Sequence, residues 1–144
     1  MRFNKIAKVV LFTLIINSFV FEANARENGK KFNWDPLMDA ITQVESEGNS
    51  RAVSGKSCGA MQITPILVED CNAILKKRGV SKRYTLNDRF SVKKSREMFV
   101  LIMSHYNPTN NIERAIRLWN GGVRYTIKGT QNYYNKVMRL YASK

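Results

Sequence analysis

The chain has 144 residues, with 24 Lys and Arg against 11 Asp and Glu, a formal net charge of +13 and a single histidine. That length is one small domain able to bury its own core, and one histidine excludes His-rich metal sites and the H-E-x-x-H zinc motif. The positive balance favours a polyanionic partner, whether cell-wall polymer, anionic lipid surface or nucleic acid, and it specifies no fold.

The chain opens with Arg2, Lys5 and Lys8, followed by an apolar run from Val9 to Val20 broken by Thr13, Asn17 and Ser18. The run is shorter than the ~20 residues that span a bilayer. Ala23-Asn24-Ala25 supplies the small-x-small pattern of a signal-peptidase site. Residues 1–25 are therefore expected to be a signal peptide cleaved after Ala25. The protein would then be exported, to the periplasm or beyond, with no stable membrane anchor. No cysteine lies at the junction to carry a lipid.

Residues 26–33 are polar and basic and read as a flexible lead to a domain over 34–144. Asp35 is a suitable N-cap and Pro36 suits the first helical position. Leu37, Ile41 and Val44 then mark one helical face, and Gly48 closes the helix. At about 100° per residue, Glu45 falls about 40° from Ile41, on the margin of the buried stripe, whereas Glu47 points to the wet side. Residues 49–56 have no hydrophobic period and read as loop. A second helix is expected from Ile66 to Leu75, then a basic turn region from Lys76 to Arg83. Ser91 caps a third helix with Val92, Ser95, Phe99, Ile102 and Tyr106 on one stripe, stopped by Asn107-Pro108.

A fourth helix runs from Ile112 to Trp119, with Ile112, Ala115, Ile116 and Trp119 inward and Gly121-Gly122 as terminator. A fifth runs from Thr130 to Tyr141, with Tyr134, Val137 and Tyr141 on one stripe. No strand alternation, repeat or low-complexity segment interrupts these elements, and the fold class is all-α. Cys58 and Cys71 are the only cysteines, and in an exported chain they permit one disulfide, worth about 3 kcal/mol on the loop-entropy argument.

Absences narrow the chemistry. There is no G-x-S-x-G elbow and no Gly-rich phosphate loop, so no nucleotide cofactor is expected. A Cys58–His105 nucleophile pair is disfavoured by the expected disulfide. Carboxylate chemistry remains. A free Glu, with a pKa of about 4.3, is mostly ionised at neutral pH, and partial burial keeps its proton available for a leaving group. Glu45 has that placement.

The segment from Val44 to Ile63, VESEGNSRAVSGKSCGAMQI, resembles the signature of soluble lytic transglycosylases (SLT) and the related goose-type lysozymes. Glu45-Ser46 stands for the family's Glu-Ser pair, Ala52-Val53-Ser54 for its Ala-x-Ser loop, and Gly59-Ala60-Met61-Gln62 for its Gly-x-Met-Gln segment. Further along, Leu86 to Phe90, Ala115 to Gly122 and Tyr133 to Val137 resemble later family elements in the same order. The resemblance covers nearly all of the exported part. It implies a lysozyme-like (goose-type/SLT) helical domain with Glu45 as the single acid/base and peptidoglycan glycan strands as substrate. It also implies a 1,6-anhydro product and no metal or cofactor. Ser54, Met61, Gln62, Asn120 and Tyr133 match substrate-site positions, and Trp119 stands where the family usually has Tyr. Ala60 replaces a Leu, Ser95 replaces a Gly, and the loop before Gly59 is one residue short.

Two other readings of the sequence stay open. One is a lysozyme-type hydrolase, with a second carboxylate among Glu69, Asp70, Asp88, Glu97 and Glu113. The other is a non-catalytic wall-binding module. Basic residues are spread over every segment with no continuous arm, so nucleic acid is not expected as a partner. A monomer is expected, and a small domain of this kind is compatible with a local role in an envelope secretion or conjugation apparatus.

Overall fold

Trp34 is where the domain's core begins. In a computed structural model, which describes residues 31–143, Trp34 is buried edge-on against Phe99 with ring centroids 5.6 Å apart. The expected signal peptide and most of the flexible lead lie outside the described residues. Helix α1 (Asp35–Ser46) follows directly, with Leu37, Met38, Ala40 and Ile41 buried. The cap sits one residue earlier than expected: Trp34 takes the N-cap position, and Asn33 Oδ1 accepts from the Asp35 N–H at 3.0 Å. The left-handed turn at the other end also comes early. Glu47 adopts φ 53° before Gly48 at φ 85°, so the chain reverses immediately after Ser46.

The stretch read as loop contains a small hairpin, which corrects the expectation of no strands. β1 (Val53–Ser54) pairs antiparallel with β2 (Ser57–Cys58) across a Gly55-Lys56 turn. Strands of two residues are too short for alternation to register in a sequence. Beyond the hairpin, Gly59 cannot be any other residue: a Cβ there would lie 1.8 Å from the carbonyl oxygen of Arg89, and its φ is +80°.

α2 (Pro65–Lys77) is capped by Thr64, whose Oγ1 accepts from the Leu67 N–H, and it buries Val68, Cys71, Ile74 and Leu75. A 3₁₀ turn (Leu86–Phe90) leads into α3 (Val92–Tyr106), which Ser91 caps as expected. Ser95 is fully buried, donating to the Arg89 carbonyl at 3.1 Å, while Val92 is exposed rather than inward. α4 (Ile112–Gly121) is capped by Asn111, and α5 (Ile127–Tyr141) by Thr126. The last helix starts three residues before the expected Thr130, because Thr126 Oγ1 accepts from the Gly129 N–H and holds a first turn with little apolar content.

α1 and α4 both pack on α5, and α2 packs on α3. Ile41, Met61, Ile63, Phe99, Met103, Ile116 and Val137 form the driest part of the shared core. The class is the expected all-α one. Among the described residues no helix is long and apolar enough to cross a membrane.

Two expectations fail here. Cys58 and Cys71 are both free, buried thiols, not a disulfide. Cys71 points into the α2–α3 interface, with Sγ 3.9 Å from the Met98 carbonyl oxygen, and burial, reinforced by Asp70, pushes its pKa up to about 12. Met61, expected at the substrate site, is 1% exposed and sits in the core, outside the lining of the cleft described below.

Candidate active site

The site is built where the last turn of α1 meets the middle of α5. Glu45 is half-buried there, and the Tyr133 hydroxyl donates to its Oε1 at 2.6 Å. Two opposed effects act on the carboxyl. Burial raises its pKa and is the larger; the Tyr133 hydrogen bond, which favours the ionised form, lowers it in part. The result lies above the ordinary Glu value. The Tyr133 phenol is pushed up in turn, by burial first and then by the charge and hydrogen bond of Glu45. It stays a donor at every relevant pH.

The residue after the acid fixes the helix end to the loop. Ser46 Oγ donates to the Ala60 carbonyl at 2.8 Å, tying α1 to the segment beyond the hairpin. Gln62 fastens that segment from the other side: its Nε2 donates to the Gly59 carbonyl at 2.9 Å, with the Ala52 carbonyl at 3.4 Å. Gln62 itself sits at φ +51°, a conformation that costs a non-glycine residue about 1 kcal/mol or more and persists only where its surroundings enforce it.

In front of Glu45 lies a cleft of about 270 Å³ lined by Ser54, Ser57, Gln62, Thr64, Leu67, Trp119 and Asn120. Among the described residues Glu45 is the one ionisable group on its wall. Five residues read from the sequence as site residues, Glu45, Ser54, Gln62, Trp119 and Asn120, are thus gathered around one space. Tyr133 joins them through its bond to the acid, and Met61 does not. The Trp119 ring leans on Phe99, centroids 5.1 Å apart, and the residue stays partly exposed at the cleft.

Ser57, Thr64 and Leu67 escaped the sequence reading. Thr64-Pro65 could have been read as a helix start, since it pairs a cap residue with an N1 proline. Ser57 carried no such signal.

Arg117 was also missed. It is 2% exposed inside the α4–α5 interface, where it donates to Thr130 Oγ1 (3.0 Å), Gln131 Oε1 (3.0 Å) and the Ile127 carbonyl (3.1 Å). It also pairs with Glu113 at 2.8 Å and lies over the Tyr134 ring. These bonds hold the first half of α5, and so Tyr133, against the body of the domain.

A second chamber of about 240 Å³ adjoins the cleft and shares Thr64, Leu67, Trp119 and Asn120 with it. Its other walls are mostly apolar, with Asp70 and Tyr106 at one side. Among the described residues no cluster of three or more His, Cys, Asp or Glu could hold a metal ion.

Comparison with known proteins gives one match. The family model described as "Transglycosylase SLT domain" fits residues 22–141. Comparisons with curated proteins and with solved structures give no match.

Proposed function

The chain belongs to the transglycosylase SLT domain family, whose members act on peptidoglycan, and from that premise we propose that Glu45 is the single acid/base of a lytic transglycosylase. The observation that carries the reading is the isolation of Glu45. Among the described residues it is the sole ionisable group lining the cleft, partly desolvated and with one oxygen already engaged by Tyr133. A conventional glycosidase needs two carboxylates, about 5 Å or about 6.5–9.5 Å apart. A transglycosylase needs one, because the substrate supplies the rest.

The steps balance without water. The glycosidic oxygen between N-acetylmuramic acid and N-acetylglucosamine takes the proton from the carboxyl of Glu45. The C1–O bond breaks, and the muramoyl N-acetyl oxygen closes onto C1. The Glu45 carboxylate then takes the proton of the C6 hydroxyl. O6 attacks C1, releases the acetamido group and leaves a 1,6-anhydro end, with Glu45 protonated again.

Tyr133 serves both halves. Its hydrogen bond holds Oε1, so Oε2 is the oxygen that exchanges the proton. It also steadies the carboxylate formed between the two transfers, a charge-assisted bond of the stronger kind. Ser54, Gln62 and Asn120 offer the polar contacts expected around a sugar, and Trp119 offers a ring face for stacking.

The same reading places the protein outside the cytoplasm, with residues 1–25 as a cleaved export signal. N-terminal sequencing of the exported form should begin at Arg26, and retention of the first 25 residues would refute the cleavage. For the activity, purified protein should release soluble muropeptides from isolated sacculi and Glu45→Gln should not. Equal release by both would end the assignment of Glu45.

A further inference from the structure

The chamber beside the cleft has a composition that sugar rings do not explain. Leu67, Ile102, Leu118, Trp119 and Val123 give it an apolar wall, and among the described residues Asp70 is the one charged group on it. Asp70 Oδ1 accepts from the Tyr106 hydroxyl at 3.0 Å, and Asp70 takes part in none of the five ion pairs formed among the described residues. Asp70 thus brings a carboxylate to an otherwise mostly apolar wall, and it is paired with no cation among the described residues. A carboxylate can accept about four hydrogen bonds, and a neutral hydroxyl uses one. The complementary ligand is an aliphatic chain ending in a cation: the stem lies on the apolar wall and the cationic end reaches Asp70.

We propose that this chamber binds the diamino-acid side chain of the short peptide carried by the glycan strand, its ammonium group held by Asp70. The inference rests on the wall-glycan reading of the cleft, because the shared residues Thr64, Leu67, Trp119 and Asn120 make whatever occupies the chamber continuous with what occupies the cleft. Peptide cross-linking through that amine turns it into a neutral amide. The chamber would therefore favour strands whose peptides are not cross-linked, and Asp70 would set where on the wall the enzyme acts.

The test is binding, read apart from cleavage. A synthetic tripeptide ending in a diamino acid with a free side-chain amine is titrated into the full exported protein. The same peptide with that amine acetylated is titrated in parallel, and both are followed by NMR at the Trp119 indole N–H and the Leu67 and Ile102 methyls. The free amine should bind roughly five- to tenfold more tightly, as one charge-assisted contact provides, and Asp70→Asn should reduce it to the level of the acetylated peptide. Equal affinity for the two peptides, shifts confined to other surfaces, or no binding of either would overturn the proposal. If Asp70→Asn fails to fold, the comparison of the two peptides on the unaltered protein still decides. Titrations repeated with Glu45→Gln should give the same preference. A failure of strand cleavage would then count against the transglycosylase reading alone.

Discussion

The Tyr133 hydroxyl donates to Glu45 Oε1 at 2.6 Å, joining residues 88 positions apart in the chain. The bond links the end of the first helix to the middle of the last, and it works against the desolvation that raises the Glu45 pKa. Removing the hydroxyl leaves desolvation unopposed. Tyr133→Phe is therefore expected to move the alkaline limb of the pH–rate profile to higher pH, since the reactive form is the protonated acid. The same change should lower kcat about tenfold through loss of the bond that steadies the carboxylate. A pH–rate series on soluble peptidoglycan fragments checks both, and an alkaline limb that moved down would contradict the arrangement.

The raised pKa also has a signature in stability. Glu45 protonates more readily in the folded chain than in the unfolded one, so folding is penalised as pH rises above the ordinary value of 4.5. Replacing it with an uncharged isostere removes the penalty. Glu45→Gln should melt at a higher temperature than the unaltered protein at pH 7, and the gap should close as pH falls below 4.5. Cleavage by the same variant should fall by about a hundred- to ten-thousandfold. Thermal melts over a pH series test the first part without any substrate.

Gly59 carries a different kind of constraint. A methyl group there would meet the backbone carbonyl oxygen of Arg89 at 1.8 Å, at a φ that disfavours side chains. Gly59→Ala is expected to cost roughly 3 kcal/mol or more and to loosen the hairpin that carries Ser54 and Ser57. Urea unfolding measures the loss, and a change below about 1 kcal/mol would mean the loop can shift.

Much of this was legible in the chain, and the residues explain which part. Glu45 could be placed because an amphipathic helix has a fixed angular repeat, and the family-like order then drew Ser54, Gln62, Trp119, Asn120 and Tyr133 to the same site. Met61 was misplaced because an apolar residue beside a polar one in a motif gives no sign of which faces the cavity. The hairpin at Val53–Cys58 escaped because it is held by backbone bonds and by the Arg89 guanidinium donating to the Lys56 carbonyl, not by a side-chain period. Arg117 escaped for the opposite reason. A charged residue on a helix reads as solvated until a partner helix brings Thr130 and Gln131 to it.

The cysteines mark a point where composition misled. An even count in an exported chain suggested a bridge, yet Cys71 faces Met98 inside the α2–α3 interface and Cys58 is buried in the hairpin. Protein purified without reductant and denatured in iodoacetamide should gain two carbamidomethyl groups by mass. Folded protein should react slowly, Cys71 least, because its thiol is buried and its pKa is pushed up to about 12.

The most direct measurement of the central claim is the chemistry of the new strand ends. Purified protein is incubated with isolated peptidoglycan, and the released muropeptides are resolved by liquid chromatography and mass spectrometry without prior reduction. A lone Glu45 acting as acid and then base leaves N-acetylmuramic ends in the 1,6-anhydro form, lighter by one water than reducing ends. Reducing ends in place of anhydro ends would show that water, not the C6 hydroxyl, completes the reaction, and would contradict the single-carboxylate account.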